Sequence, residues 1–276
     1  MAYTFHEGTR LWYEVIGKGR PLTLIGGFGI AQNQFDFALP FLKPHFQLMN
    51  WNYRGCGLSD WTMSKAYSLE DWVDDMKACL DAAGIEKTAI WATSTGSAIG
   101  IRFAAKYPER TSALITYPWF RCDEGWKNIF TATYHVARTF GLFTLARVFA
   151  GVILPRDILH AKPGIDFEDF ETVCFERNIN MATFEQQMNA LINVDLTGDV
   201  KRLECPTCLL MGSDSPLNDQ DELAAASHDA LTTAFLALKP DAVVRDVPNT
   251  GSTYCMITDP EKTSAQVIEY LKSVPA

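Results

Sequence analysis

Short apolar runs alternate with stretches of helical spacing along much of the chain, most regularly between residues 21 and 117. This alternation is typical of a parallel sheet flanked by helices, whose strands are apolar because both of their faces are buried. Two earlier segments, 3–6 and 11–15, alternate apolar and polar residues and predict an antiparallel hairpin at the sheet edge. The predicted parallel strands are 21–25, 46–51, 88–92, 113–116, 207–211 and 242–247.

Two of the predicted helices have legible ends. A helix is predicted over 69–83, where apolar residues recur at helical spacing. Ser68 and Asp71 can form a capping box at its start, and Gly84 can end it. A closing helix is predicted to begin after Asp259, an N-cap residue that is followed by proline.

The alternation stops between Trp119 and Leu203, where the sequence predicts helices rich in large apolar residues. We interpret this stretch as an inserted helical cap, residues 120–203, on a core domain formed by residues 1–119 and 204–276. Most of the aromatic side chains of the cap are expected to hold it together and pack it on the core. Some are expected to face a cleft, because ligand pockets are mostly apolar and often lie where two domains meet.

One turn in the core carries candidate chemistry. The strand 88–92 runs directly into Thr93, Ser94 and Thr95, and the helical pattern resumes at Gly96. This order is typical of a nucleophile elbow, in which small residues two positions before and after a serine allow a tight turn that exposes the hydroxyl. Ala92 and Gly96 occupy these small positions. A serine that caps a helix would give a similar pattern, so the surrounding sequence has to decide.

Composition narrows the possible partners. The chain has 276 residues, 24 Lys plus Arg against 33 Asp plus Glu, and a net charge of −9. This length supports a stable core, and the charge gives no electrostatic reason to bind nucleic acid or an anionic membrane. Neither partner is expected. No signal peptide and no 18-residue apolar run are legible, and seven Cys fit reduced thiols, so a cytoplasmic location is expected. Cys205 and Cys208 form a CxxC, interpreted as two cysteines at the start of a strand.

Three further motifs accompany the elbow in a fixed order. They are Gly26-Gly27-Phe28-Gly29, the segment 52–60 (NYRGCGLSD) and Tyr107-Pro108-Glu109-Arg110. With these motifs the chain resembles the α/β-hydrolase family over nearly its whole length apart from the cap, and the resemblance implies a mostly parallel α/β fold. It also implies that Ser94 is a nucleophile, and that the backbone N–H groups of Phe28 and Thr95, beside Gly27, bind a developing oxyanion.

The resemblance places the remaining catalytic residues in later loops. Asp214, after the strand 207–211, is the expected acid, although Asp219 and Asp221 stand close to it. The family then has a histidine base in the loop after the last strand. In this chain the residue after Gly251 is Ser252, whose hydroxyl has no useful proton affinity near neutral pH.

Three explanations for Ser252 stay open. The chain can be a laboratory variant of a serine hydrolase, or a natural relative with different chemistry such as elimination, C–C cleavage or cyclisation, or a relative that only binds or senses a ligand. His135 and His160 in the cap are candidate substitute bases, although each is more typical of surface or packing positions. Gly26 and Asn52 also differ from the family's usual His and Asp, which favours natural divergence.

The expected activity, for this protein or its parent, is hydrolysis of a small, largely apolar ester or lactone through Ser94. No cofactor is implied, because neither a P-loop nor a dinucleotide-binding fingerprint is present. The expected partner is a small-molecule substrate, and the sequence predicts neither its identity nor the oligomeric state.

Overall fold

The predicted strands form an eight-stranded, mostly parallel sheet, as expected for an α/β hydrolase. The computed structural model describes residues 1–29, 34–61, 66–153, 178–212, 222–248, 250 and 255–276. Its strands are β1 (Ala2–His6), β2 (Thr9–Gly17), β3 (Arg20–Ile25), β4 (Phe46–Trp51), β5 (Thr88–Ala92), β6 (Thr111–Thr116), β7 (Thr207–Gly212) and β8 (Val243–Val247).

The order of the strands creates a crevice beside β3. Across the sheet the order is β1-β2-β4-β3-β5-β6-β7-β8. The pairs β1–β2 and β2–β4 are antiparallel, and β3, β5, β6, β7 and β8 run parallel to β4. The chain leaves β3 toward one edge of the sheet and leaves β5 toward the other. In open α/β sheets, ligands bind outside the carboxyl ends of two such strands.

The helices cover the sheet and follow local sequence signals. They are α1 (Leu39–Leu42), α2 (Leu69–Ala82), α3 (Gly96–Lys106), α4 (Glu124–Ile153), α5 (Met181–Leu191), α6 (Thr197–Lys201), α7 (Glu222–Leu238), α8 (Cys255–Thr258) and α9 (Pro260–Ser273). The capping box predicted for α2 is formed by Ser68 and Asp71, and Asp259 caps α9 through Lys262. Gly84 follows α2 with φ 66°, the left-handed conformation that glycine adopts without strain.

The elements described between β6 and β7 are α4, α5 and α6. Helix α4 is interrupted at Gly141, where φ is 87°. Helix α5 buries Phe184, Gln187 and Met188. The division into a core of residues 1–119 and 204–276 and a cap of residues 120–203 stays a prediction. Among the described helices, none is both long and apolar enough to cross a membrane.

Candidate active site

The connection between β5 and α3 has the conformation of a nucleophile elbow. Ser94 adopts φ 53°, in the left-handed region that non-glycine residues rarely occupy. Holding a residue there costs roughly 1–2 kcal/mol, and such strain is concentrated at functional sites. The N-cap of α3 is Thr95, so Ser94 is not the capping residue that the alternative interpretation required. The Ser94 side chain is half-buried at the carboxyl end of β5.

The small residues around Ser94 are explained by their contacts. A Cβ atom on Gly96 would collide with the backbone oxygens of Ile25 and Gly26 at the end of β3. On the other side of the turn, a Cβ atom on Gly100 would lie 2.9 Å from the Cβ of Ala92. Helix α3 therefore approaches β3 and β5 as closely as glycine allows. Ala92 is tolerated at the first small position because α3 presents Gly100 to it.

The glycine-rich loop after β3 lies directly against the elbow. A Cβ atom on Gly27 would be 2.8 Å from the Cβ of Ser94 and 3.2 Å from its Oγ. Gly27 therefore leaves room for the serine, and Phe28 follows it in the same loop. On the elbow side, the Thr95 N–H donates to no acceptor within the described part of the chain. Four predicted site residues, Gly27, Phe28, Ser94 and Thr95, thus lie together at the carboxyl ends of β3 and β5.

Residues 25–235 match the family described as "Serine aminopeptidase, S33". This match spans most of the chain, including the glycine-rich loop, the elbow and the helices between β6 and β7. The chain belongs to this α/β-hydrolase family. Membership in this family accounts both for the mostly parallel sheet and for the sharp turn at Ser94 between β5 and α3.

Individual proteins similar to this hydrolase are distant from it in sequence, and the solved structures among them share its fold. The protein named "Putative carbamate hydrolase RutD" from Escherichia coli O127:H6 is 24% identical over 256 residues, which cover 92% of this chain and 91% of that protein. The enol-lactonase from Burkholderia xenovorans LB400 superposes with a TM-score of 0.80 at 18% identity, over 98% of this chain and 100% of the other. A thermophilic esterase from Thermogutta terrifontis gives a TM-score of 0.80 at 21% identity, over 99% and 97%.

The other predicted catalytic positions lie outside the described residues of the hydrolase. This applies to the expected acid Asp214, to its neighbours Asp219 and Asp221, and to Ser252 at the expected base position. His160 also lies outside them. The second cap histidine, His135, is exposed on α4 beside Tyr134.

Two residues that the sequence interpretation missed hold the glycine-rich loop. The Gly27 N–H donates to Oε1 of Gln34 at 2.6 Å, and the Tyr53 hydroxyl lies 3.5 Å from the Gly27 carbonyl oxygen. Burial raises the pKa of Tyr53 well above its ordinary value, so its hydroxyl stays protonated as a donor. No spacing rule identifies Gln34. In the sequence it stands among the polar residues Gln32, Asn33 and Asp36, so its polarity does not single it out either.

The segment 52–60 is held by a hydrogen bond within it and by an ion pair to α2. Oδ1 of Asn52 accepts a hydrogen bond from the Leu58 N–H at 2.9 Å, so the Asn52 side chain holds this turn through its amide oxygen. The guanidinium of Arg54 is buried and donates to Asp75 through Nε at 2.8 Å and Nη2 at 2.6 Å. Burial alone would lower the pKa of Arg54, but the hydrogen bonds and charge of Asp75 outweigh it and raise that pKa. Arg54 is therefore a structural cation in the described site.

Helix α5 lies over both loops. The rings of Phe28 and Phe184 meet edge to face with centroids 5.1 Å apart. Nε2 of Gln187 donates to the carbonyl oxygen of Gly55 at 2.9 Å, and the Gly57 N–H donates to the Asn178 carbonyl oxygen at 2.8 Å. Helix α5 thus contacts the glycine-rich loop through an aromatic pair and is held to the segment 52–60 by a side-chain hydrogen bond.

The cysteines offer no competing nucleophile among the described residues. Cys205 and Cys208 are buried and free, and Cys208 lies within β7. Burial raises the pKa of Cys205 to about 11 and that of Cys208 to about 12, so neither is a thiolate at neutral pH. In the described part of the chain, no cluster of His, Cys, Asp and Glu is arranged to hold a metal ion.

Proposed function

We propose that this α/β hydrolase cleaves a small, largely apolar ester or lactone with Ser94 as nucleophile. The observation that carries this proposal is the strained φ of 53° at Ser94, with Gly27 packed against its hydroxyl. A strained serine under a glycine-rich loop presents its Oγ to a carbonyl carbon. The same loop and the start of α3 present backbone N–H groups to the carbonyl oxygen.

The reaction would proceed in two steps. Ser94 Oγ loses its proton and attacks the carbonyl carbon, and the N–H groups of Phe28 and Thr95 bind the negative oxygen. The bond to the leaving oxygen then breaks, this oxygen takes a proton from water and departs as the alcohol, and an acyl-enzyme remains. Water then attacks the ester bond to Ser94 and releases the acid. In a lactone the leaving alcohol stays attached to the acyl group, so ring opening follows the same path. The aromatic contact of Phe28 and Phe184 supports an apolar substrate, and the names of the enol-lactonase and the esterase support a lactone or ester bond.

The proposed mechanism has no histidine base to accept the proton of Ser94. Ser252 cannot accept the proton of Ser94, so in the proposed mechanism solvent hydroxide or water takes it. Asp214 keeps its proposed place as the acidic residue of the triad. Loss of the base in such a triad lowers kcat by about 10⁴ to 10⁶, and oxyanion binding leaves roughly 10³ over the uncatalysed rate. Turnover is therefore expected to be slow and to rise with pH.

The test combines turnover with covalent labelling. Purified protein should hydrolyse an aryl ester slowly, and a serine-reactive phosphonate should add to Ser94, as measured by peptide mass spectrometry. Ser94→Ala should abolish both signals. Ser252→His should raise kcat by at least about 100-fold, because an imidazole at this position restores the general base, and the rate should acquire a titration near the ordinary His pKa of about 6.5.

The contrary outcomes separate the remaining explanations. Ester turnover that survives Ser94→Ala would assign the chemistry to another group. Saturable binding of a small apolar molecule, with neither labelling nor turnover in the wild type or in Ser252→His, would show a binding protein on a hydrolase fold. Turnover that Ser252→His leaves unchanged would contradict the proposed role of position 252.

A further inference from the structure

A single glycine at the end of β3 is held on both sides by buried side chains. Gln34 is 0% exposed and its Oε1 accepts the Gly27 N–H at 2.6 Å, a short hydrogen bond. Tyr53 is 6% exposed and its hydroxyl approaches the Gly27 carbonyl oxygen at 3.5 Å, a long one. The Gly27 N–H is therefore satisfied inside the protein, and its carbonyl oxygen faces a buried hydroxyl beyond ordinary hydrogen-bond length.

The partners of Gln34 fix which way its amide faces. Because the Gly27 N–H can only donate, the atom that meets it must be the amide oxygen. The amide nitrogen then faces Sδ of Met256 in α8, at 3.7 Å. Met256 is 1% exposed, so the amide is enclosed between the glycine-rich loop and α8. This side chain connects the loop beside Ser94 with the helix that follows position 252.

The strand order then gives the direction of the next N–H group. In a trans peptide the C=O and the N–H point in opposite directions, and the Gly27 carbonyl shares its peptide plane with the Phe28 N–H. Tyr53 follows β4 and Ser94 follows β5, and β3 lies between these two strands. A Gly27 carbonyl that faces Tyr53 on the β4 side therefore turns the Phe28 N–H toward the β5 side, where Ser94 lies.

A loop with two consecutive glycines needs such a restraint. Glycine has no Cβ and samples far more backbone conformations than other residues, so Gly26 and Gly27 leave the next peptide poorly defined by themselves. Electrostatic stabilisation of an oxyanion requires donors that are already oriented before the charge develops. A buried acceptor for the Gly27 N–H restricts the backbone dihedral angles at this glycine.

We propose that Gln34 is a positioning residue that holds Gly27 so that the Phe28 N–H faces the oxygen of the substrate carbonyl, with Tyr53 as a weaker second restraint. This inference rests on the proposed hydrolase function. Gln34 touches no reacting atom and acts through the loop. Its removal should therefore weaken transition-state binding and leave substrate binding nearly unchanged.

The experiment compares three substitutions in the full chain. Gln34→Leu removes the acceptor and should lower kcat by about 10- to 100-fold, somewhat less than the 10² to 10³ for loss of an oxyanion donor, with KM within about threefold. Gln34→Glu keeps an acceptor for the Gly27 N–H and, in the neutral form that a buried carboxyl group favours, should retain most of kcat. Tyr53→Phe should give a smaller loss than Gln34→Leu. Gln34→Met serves in place of Gln34→Leu if the latter fails to fold.

A matched control separates positioning from general destabilisation. Thr23 in β3 makes a buried hydrogen bond to Thr88 through their hydroxyl oxygens, 3.0 Å apart. Thr23→Val removes this bond on the same strand, far from Gly27, and should reduce stability while kcat stays at the wild-type level. If Thr23→Val and Gln34→Leu lower kcat equally at equal stability, Gln34 has only a structural role and the proposal is wrong.

Amide hydrogen exchange provides a readout that needs no turnover. In protein labelled with ¹⁵N-glycine, the Gly27 amide should exchange slowly in the wild type and in Gln34→Glu, and faster in Gln34→Leu. If the wild type shows neither turnover nor phosphonate labelling, the proposed function fails, and the exchange of Gly27 alone then decides whether Gln34 restrains the loop. Equal exchange in the wild type and Gln34→Leu would overturn the restraint. Faster exchange with an unchanged kcat would overturn its importance for catalysis and leave the proposed function intact.

Discussion

At the scale of single residues, Ser94 combines an unfavourable backbone with the predicted chemistry. Its φ of 53° would suit glycine, yet the position carries a side chain. The turn is tightly packed, because a Cβ on Gly96 would collide with the backbone oxygens of Ile25 and Gly26, and a Cβ on Gly27 would collide with Ser94. The free energy stored in this turn is therefore supplied by the packing of β3, β5 and α3. Removing the Cβ atom should release it.

Strain at position 94 should separate the stabilities of two substitutions there. Ser94→Gly should be more stable than Ser94→Ala by about 1 kcal/mol, because glycine adopts a positive φ freely and alanine does not. Glu7, which has φ 47°, is the matched control, since Glu7→Gly should also exceed Glu7→Ala although it lies outside the site. Urea unfolding measures both differences. Equal stability of the two variants at position 94 would show that the elbow is not strained in solution.

At the scale of elements, the contact between α3 and β5 is limited by two small residues. A Cβ on Gly100 would lie 2.9 Å from the Cβ of Ala92, 3.3 Å from Cγ2 of Ile90 and 3.4 Å from Cδ1 of Leu114. Helix propensity alone would favour alanine at position 100 by about 1 kcal/mol. Overpacking of a rigid core typically costs about 1–3 kcal/mol, so the steric term should prevail.

Gly100→Ala should therefore lower the free energy of unfolding by about 1 kcal/mol, the overpacking cost less the gain in helix propensity. The double variant Ala92→Gly with Gly100→Ala should recover part of this loss, because the new Cβ occupies the space of the old one. Gly125→Ala is the control, since its Cβ would meet only Oδ1 of Asp123 at 3.4 Å, and it should not destabilise the protein. Additive effects at positions 92 and 100 would contradict the proposed contact.

The elements themselves were largely predictable from sequence, and the restraints on the site were not. The strand ending at Ala92 and the capping box at Ser68 follow from local patterns, which act within a few residues. The hydrogen bond from Gly27 to Gln34 depends on how a loop folds back on itself, which no hydrophobic period encodes. The strain at Ser94 likewise arises from contacts between separate strands. The positions Asp214 and Ser252 were predicted by resemblance alone and stay predictions.

At the scale of the whole molecule, ion pairs join elements that are far apart in sequence. Glu70 and Asp74 of α2 bind Lys106 at the end of α3, and Arg102 of α3 binds both Glu70 and Asp199 of α6. Helix α6 is the last element before β7. These ion pairs therefore connect α2 and α3, which precede and follow β5, with the end of the segment between β6 and β7. Their strength should depend on pH.

Two aspartates of α2 have lowered pKa values that make stability depend on pH. Burial would raise the pKa of Asp74, but hydrogen bonds from Lys106 and Tyr107 outweigh it and lower that pKa. The pKa of Asp81 is lowered in the same way, because bonds from Lys77 and Arg110 outweigh its burial. A carboxyl group whose pKa is lower in the folded state binds more protons when unfolded, so stability rises with pH through this range. The contribution is complete above the ordinary Asp pKa of about 3.9 and is lost as the pH falls through the lowered values.

Urea midpoints should therefore receive a constant contribution from these two groups between pH 7 and pH 5 and lose it below about pH 4. Asp74→Asn should be less stable than the wild type at pH 7, and the difference should shrink below about pH 4, where the unfolded wild-type chain takes up a proton at this carboxyl group. The exposed Glu204→Gln is the control and should show no such convergence. Because these carboxylates are partly exposed, added salt should reduce the effect at pH 7. A difference between Asp74→Asn and the wild type that stays constant from pH 7 to pH 3 would show that Asp74 acts through packing, and that its charge does not stabilise the junction of α2 and α3.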